Sequence, residues 1–329
     1  MLAAMYRRHG PPLTTLELVQ IDVGAPAADE VVVAVEAAPV HIADLLYIAG
    51  EIPIAPPAPA VAGIEGVGRV VACGSAVRQL ALGQRVFLPR KSGTWARQVR
   101  HPAASLLPAP DTGDVAQLSL VPINAATAWF LVRGVLPLQR GDWLIQNAAN
   151  SSCGRFVIGI AQQLGLHTVN LVRRPELLAD LAALGGDVTL LDGPDLAARV
   201  AQATGGAPLR LAIDAVAGSA TQRLAECLTR DGVIACYGQM SREPCQVAPQ
   251  TLYLENLSLR GFFTPHFERL LPRADWLQVM QQLGDWVAAG TLRARIAACY
   301  PLTRIHDALR HEMNSGAERD GKVIVLPQE

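Results

Sequence analysis

The chain has 329 residues, half of them apolar, and its 28 basic against 29 acidic side chains leave a formal charge of only −1. That balance excludes a charged tail as the main functional device and provides no electrostatic footprint for nucleic acid. Single cores usually stop growing at about 250–300 residues, so two domains are expected.

The longest apolar stretches, Glu30–Val40 and Ile123–Leu136, are interrupted well before the ~20 residues that a membrane span requires. Arg7 and Arg8 follow a short apolar run at Met1, the wrong order for a secretory signal. A soluble, cytoplasmic protein with no membrane or nucleic-acid partner is therefore expected. The six cysteines are scattered, with no pair closer than nine positions, so neither a zinc ribbon nor a redox dithiol is written into the chain.

Up to about residue 113 the pattern is of short β-rich segments (Glu30–Val35, Gly68–Ala72, Arg85–Leu88) broken by Gly and Pro, with one short helix at Ile42–Ala49. This reads as an irregular, partly open barrel or sandwich. From 114 to 263 helices and strands alternate. A helix (Val115–Val135) leads to strands at Trp143–Ala148, His167–Val172, Val188–Leu191, Leu209–Ala215, Val233–Tyr237 and Leu257–Phe263, with helices between the first five. Such spacing implies right-handed crossovers and a doubly wound parallel sheet of six strands, an α/β nucleotide-binding domain. From 264 to 329 the alternation stops. A helix bearing Trp276, Met280, Leu283 and Val287 is followed by a strand near Ile296, a helix at Ile305–Met313 and a closing strand, Lys322–Leu326. This tail is assigned to the first domain, which makes the nucleotide-binding unit an insertion.

The turn after the first parallel strand, Ala149-Asn-Ser-Ser-Cys-Gly154, opens directly into an amphipathic helix. Small residues are needed there so that backbone N–H groups approach a pyrophosphate at the helix N-terminus. Against the three-glycine fingerprint the positions read Ala149, Ser151 and Gly154, with Ser152 and Cys153 between them, so a plain βα turn remains the alternative. The second strand ends in Arg173 and Arg174, about twenty residues further on, where an NAD site places an acid. Guanidinium groups suit a 2′-phosphate, and at roughly 1.5–3 kcal/mol per charge-assisted bond they supply ten- to several-hundred-fold preference for NADPH. Solvated surface arginines are the bland alternative.

Gly63-Ile-Glu-Gly-Val-Gly68, Gln84-Arg-Val86, Ala125-Ala-Thr-Ala128, Gly141-Asp142, Tyr237-Gly238 and Gly321-Lys322 resemble the medium-chain dehydrogenase/reductase superfamily over nearly the whole chain. Ile145-Gln-Asn-Ala-Ala-Asn-Ser151, Asn170-Leu-Val-Arg173, Tyr237-Gly-Gln-Met240 and Leu259-Arg-Gly-Phe262 are most similar to its zinc-independent 2-enoyl thioester reductases, with quinone oxidoreductases as the neighbouring branch. The resemblance implies a Rossmann domain inserted into a GroES-like catalytic domain, NADPH as cofactor, a small-molecule or acyl-thioester substrate, and a homodimer joined through residues 257–263. It also implies cofactor contacts at Thr127, Asn147, Tyr237, Met240 and Lys322, beside those of the turn and of Arg173 and Arg174. Phe262 and Phe263 are placed to line the cleft, or else to form a dimer core. Zinc-dependent relatives have a Cys and a Gly-His-Glu motif where this chain has Pro39-Val40-His41 and Gly63-Ile64-Glu65, so no metal is expected.

Reduction of an enoyl thioester needs donors at the thioester oxygen and a proton for the α-carbon. The tyrosine that the family uses two residues after Gly50 is here Ile52, and the family asparagine before the short helix is His41. Tyr47 and His41 are the candidate catalytic residues in their place, with core packing and structural hydrogen bonding as the alternatives. A quinone reductase requires less, because solvent protonates its product. Loss of the tyrosine also leaves open a catalytically impaired NADPH-binding protein. A carrier or coenzyme A substrate further predicts a basic surface, with Arg90, Lys91, Arg97 and Arg100 as its candidates.

Overall fold

The computed structural model describes residues 1–314 and 316–329. The strands, in chain order, are β1 (Leu2–Tyr6), β2 (Leu16–Gln20), β3 (Glu30–Pro39), β4 (Ala60–Val61), β5 (Gly66–Cys73), β6 (Arg85–Leu88), β7 (Gln98–Pro102), β8 (Leu107–Pro108), β9 (Trp143–Gln146), β10 (His167–Val172), β11 (Val188–Leu191), β12 (Leu209–Asp214), β13 (Val233–Cys236), β14 (Ser258–Gly261), β15 (Ile296–Pro301) and β16 (Lys322–Leu326). Two compact units result, one of residues 1–124 with 273–329 and the other of residues 125–272, so each boundary lies about ten residues beyond the one expected.

The first unit is β-rich. One sheet runs β15-β16-β3-β5-β6-β8, with β7 also paired to β3, and a three-stranded sheet runs β2-β1-β4. Val31, Val33 and Val35 of β3 alternate inward and meet Val70, Val86, Leu88 and Trp95 in one core, a period of two that the valine run dictates. β16 lies between β15, to which it is parallel, and β3, to which it is antiparallel, and the helix Ile305–Met313 covers the crossover. The short helix Ile42–Ala49 starts where the Asp44 carboxylate accepts the His41 N–H at 2.9 Å and ends at Gly50 in the left-handed region.

The second unit is the parallel sheet β11-β10-β9-β12-β13-β14. Its order reverses after β9, which makes the carboxyl ends of β9 and β12 the topological switch point where such sheets bind ligands. Helix Ser152–Leu164 buries Phe156, Val157, Ile158, Ile160 and Ala161. Among the described residues no helix is long and apolar enough to cross a membrane.

The expected single helix over Val115–Val135 is in fact three pieces, α-helical at Val115–Leu118, a π-turn at Val121–Ala125 and α-helical at Ala126–Arg133. Pro122 sits at that break, where it has no N–H to give to a continuous ladder. Helices at Pro249–Leu254 and Thr264–Glu268 escaped the sequence reading because each is little more than one turn. Phe262 is buried and stacked on Phe267 at 4.6 Å between centroids, inside the second unit, so it packs a core; Phe263 is exposed.

Candidate active site

In the second unit, β9 delivers the chain to a turn built under tension. Ala148 has φ +47° and Ala217, after β12, has φ +62°, two side-chain-bearing residues in the left-handed region on the two strands that flank the switch point. Such strain costs about 1 kcal/mol or more per residue and persists where the surroundings fix it. Here the fixing group is Asp214. Its buried carboxylate accepts from Asn147 Nδ2 (2.6 Å), from the N–H groups of Val216 and Ala217 (2.9 Å each) and from Thr221 Oγ1 (2.7 Å). The Asn147 oxygen accepts from Ala215 N at 2.8 Å, so the Asn147 amide ties the two strand ends together. Gln146 reaches across to Asn170 Oδ1 (2.8 Å) and to the Gly154 carbonyl (2.9 Å), which pins the following helix to β9 and β10.

Ser151 caps that helix, its hydroxyl accepting the Gly154 N–H at 3.1 Å. The first-turn N–H groups of Ser152 and Cys153 have no intrahelical carbonyl to bind, which is the electropositive end an anion requires. Gly154 is obligatory: a Cβ there would lie 2.7 Å from the Ala149 carbonyl oxygen. Tyr237 is half-buried and hydrogen-bonds Cys153 and Ser151, and burial raises its hydroxyl well above the ordinary tyrosine value. Burial pushes the Cys153 thiol up to about 12, which excludes it as a nucleophile at neutral pH. Arg173 is exposed, and Arg174 lies 3.5 Å from Glu176. Met240 is exposed, and Thr127 and Thr264 share a hydroxyl hydrogen bond at 2.8 Å. Asp214, Cys236 and Cys245 are close enough to suggest a metal site, but the Asp214 carboxylate already accepts four hydrogen bonds and burial pushes Cys236 up to about 12.

The first unit holds a buried polar cluster at the start of the short helix. His41 Nε2 makes a very short contact with Glu65 Oε1. Asn124 Nδ2 donates to the same oxygen at 3.2 Å, and the Ile123 N–H donates to Oε2 at 2.6 Å. Thr94 Oγ1 donates to the Glu65 carbonyl at 2.7 Å. Burial pushes the Glu65 carboxyl up to about 8 and Asp44 up to about 7, and it holds His41 well below the ordinary imidazole value. Of these groups, Asn124 had no local signal in the sequence; the π-turn alone brings it to Glu65, 59 positions away.

Tyr47 is half-buried on the same helix, with the Lys91 ammonium 5.6 Å from its ring centroid. Lys322, expected beside the cofactor, donates to the Val40 carbonyl at 3.2 Å and lies 3.8 Å from the buried Glu312. The basic surface is less free than its composition suggests. Lys91 donates to the Ile54 carbonyl at 2.6 Å, and Arg100 pairs with Glu30 at 3.2 Å and donates to Ala25 O at 3.1 Å.

The two raised carboxyls make stability fall with pH. Glu65 and Asp44 keep protons in the fold that the unfolded chain loses near 4.5 and 3.8, so their contribution is full at low pH and is lost as pH rises through about 8 and about 7. His41 acts oppositely, but only below its ordinary 6.5. The melting temperature is therefore expected to fall from pH 6.5 to 8, and Glu65→Gln to flatten that fall in scanning calorimetry. An unchanged slope in the variant would mean that Glu65 titrates normally.

The alcohol dehydrogenase GroES-like domain family matches residues 27–111, and the zinc-binding dehydrogenase family matches residues 153–284. The mitochondrial enoyl-[acyl-carrier-protein] reductase of Caenorhabditis elegans is 32% identical over 88% of this chain and 85% of its own. A Bacillus thuringiensis protein assigned as an NADPH:quinone reductase superposes with a TM-score of 0.89 at 26% identity, covering 99% of this chain and 98% of that one. The complex of Etr1p with NADP and crotonyl-CoA has a TM-score of 0.87 at 22% identity over 99% of both chains, a likeness of fold. The expectation of a cytoplasmic location is overturned by the mitochondrial name of the nematode relative: lack of a span or an evident signal does not fix a compartment. With both domain families matched in order and a relative of this identity aligned over most of each chain, the protein belongs to the medium-chain dehydrogenase/reductase superfamily and is enoyl reductase-like.

Proposed function

We propose that the protein is an NADPH-dependent reductase of 2-enoyl thioesters that works without zinc. The observation that carries this reading is the 32% identity to an enoyl-[acyl-carrier-protein] reductase over 88% of the chain. The tight turn at the switch point of the sheet fits a dinucleotide, since Gly154 lets the start of the helix pack against the Ala149 backbone, where a Cβ would collide, and so brings the helix N-terminus to the strand end. The N–H groups of Ser152 and Cys153 would hold the diphosphate, with Ser151 and Ala149 shaping the turn and Tyr237 and Met240 beside it. Arg173 and Arg174 would hold the 2′-phosphate. Bound NADPH supplies the hydride that reduces the β-carbon. The chain's own task is then to stabilise negative charge on the thioester oxygen and to deliver a proton to the α-carbon.

Oxidation of NADPH, followed at the nicotinamide absorbance, is expected with crotonyl coenzyme A, and NADPH is expected to be preferred over NADH by roughly ten- to several-hundred-fold. Turnover of a small quinone alone would replace this reading with the quinone oxidoreductase one, which Ile52 and the Bacillus relative favour. Micromolar NADPH binding without turnover of either would leave an impaired binding protein.

A homodimer through residues 257–263 is part of the proposal. β14 is the edge of its sheet, all four of its residues are exposed, and Tyr253, Leu254 and Leu259 add exposed apolar surface beside it. An open strand edge of this kind pairs readily with another copy of itself. Sedimentation is expected to give twice the 35.0 kDa chain mass, with Leu259→Lys shifting it toward monomer.

A further inference from the structure

Two thiols that the sequence keeps nine positions apart meet in the second unit. Cys245 Sγ donates to Cys236 Sγ at 3.5 Å, and Cys236 Sγ donates to the Gly238 carbonyl at 3.5 Å. The two sulfurs are held differently. Cys236 ends β13, paired with Asp214 of β12 on one side and Gly261 of β14 on the other, so the sheet fixes its backbone. Cys245 lies in an irregular segment before the helix Pro249–Leu254, and residues 239–244 between the two cysteines are all exposed. A disulfide bond is about 2.05 Å long, so roughly 1.5 Å of approach is required, and the segment of Cys245 has no strand ladder to resist it. Access differs as well. Cys245 lines an open cleft of about 630 Å³ beside the helix Ser219–Ala225, where a small solute reaches it from water. Burial pushes Cys236 up to about 12 and keeps it a thiol, so the first attack falls to Cys245.

We propose that Cys236 and Cys245 form an oxidation site, which a peroxide converts into a disulfide that closes the loop bearing Tyr237 and Met240. The site is independent of the enoyl thioester reading. With hydrogen peroxide, Cys245 Sγ attacks one oxygen, the O–O bond breaks, and the departing hydroxide leaves with the thiol proton as water. Cys236 Sγ then attacks the sulfur of the Cys245 sulfenic acid, with which it is already in contact. The S–S bond forms, the S–O bond breaks, and the hydroxide leaves with the Cys236 proton as a second water. Two thiols thus give up two electrons, and one peroxide is reduced to two waters. The near half of the loop is already tied down, because the N–H groups of Tyr237, Met240 and Ser241 donate to the carbonyls of Asp214 (2.9 Å), Ala215 (3.1 Å) and Val216 (2.9 Å). None of these bonds uses a sulfur, so the disulfide adds a covalent clasp at the far end and leaves them in place.

The test exposes the reduced, intact protein to hydrogen peroxide with a chelator present, so that no metal bridges Asp214 and the two thiols. The free thiols are expected to fall by two from the six of the reduced chain. Trypsin cuts after Arg242, between the two cysteines, so the bond is read as peptides 231–242 and 243–260 that stay joined until a reductant is added. The melting temperature is expected to rise by roughly 5 °C on oxidation and to return on reduction. Cys245→Ser is expected to lose both the joined peptides and the temperature rise. Cys236→Ser is expected to leave Cys245 as a sulfenic acid that dimedone traps. A bond between other cysteines, a Cys245 sulfinic acid beside a free Cys236, or a temperature rise that persists in Cys245→Ser would overturn the proposal. None of these outcomes bears on reduction of crotonyl coenzyme A, so the enoyl reductase reading stands or falls separately.

Discussion

Gly154→Val is expected to raise the NADPH dissociation constant at least a hundredfold, the largest single effect on cofactor binding in the chain. The three atoms nearest a Cβ at this position are the Ala149 carbonyl oxygen (2.7 Å), carbon (2.8 Å) and Cα (2.8 Å), all backbone and all in the turn itself. No side chain is able to swing away, so either the helix Ser152–Leu164 retreats or the turn opens. Overpacking of this sort costs about 1–3 kcal/mol, and a hundredfold loss corresponds to ~2.7 kcal/mol, so displacement of the helix N-terminus alone accounts for it. Fluorescence titration with NADPH measures the effect, and thermal unfolding of the same sample separates it from global loss of structure. Binding within threefold of wild type would show that the diphosphate lies elsewhere.

Asp214→Ala is expected to be the most damaging substitution for stability in the second unit. One small side chain would leave four donors without an acceptor: the Asn147 amide, two backbone N–H groups and the Thr221 hydroxyl. Each unsatisfied buried group costs about 1–3 kcal/mol, so a loss of roughly 4 kcal/mol or more is expected in urea denaturation, enough to empty the native state of a marginal domain. Asp214→Asn preserves shape and part of the acceptor capacity and is expected to lose about half as much. Because Asp214 also fixes the left-handed backbone of Ala217 and orients Asn147, NADPH binding is expected to weaken along with stability. An alanine variant as stable as wild type would mean that water takes over all four bonds.

The two sites differ in how far they were legible from the sequence. The dinucleotide turn is a local object. Strand, small residues and helix follow one another within about twenty positions, and period and composition were enough to place Ala149, Ser151 and Gly154 at the three glycine positions of the turn, though not to mark Ser151 as the helix cap. The six parallel strands and their doubly wound arrangement followed from alternation and the right-handed crossover rule, whereas their order in the sheet did not. What composition could not supply was the lock beneath the turn, since Asn147 and Asp214 are 67 positions apart and each alone reads as an ordinary strand-end residue. The cluster in the first unit is less local still. His41, Glu65 and Asn124 come from the end of β3, the start of β5 and a π-turn, and a proline-broken helix gives no periodic signal to follow. The partner of Phe262 was hidden for a related reason: the helix Thr264–Glu268 that bears Phe267 is too short to announce itself.

The seat of β16 sets the order in which the molecule matures on the ribosome. Val323 accepts the Val40 N–H at 2.9 Å and Lys322 donates to the Val40 carbonyl, so the residue preceding His41 is clamped by a strand translated long after it. At about 5–20 residues per second, roughly 15–60 s separate the emergence of β3 from that of β16. The inserted unit has every strand it needs before then, whereas the backbone beside His41 is held only once β16 has emerged. A nascent chain is thus competent to close its parallel sheet long before it is competent to fix the start of the helix Ile42–Ala49.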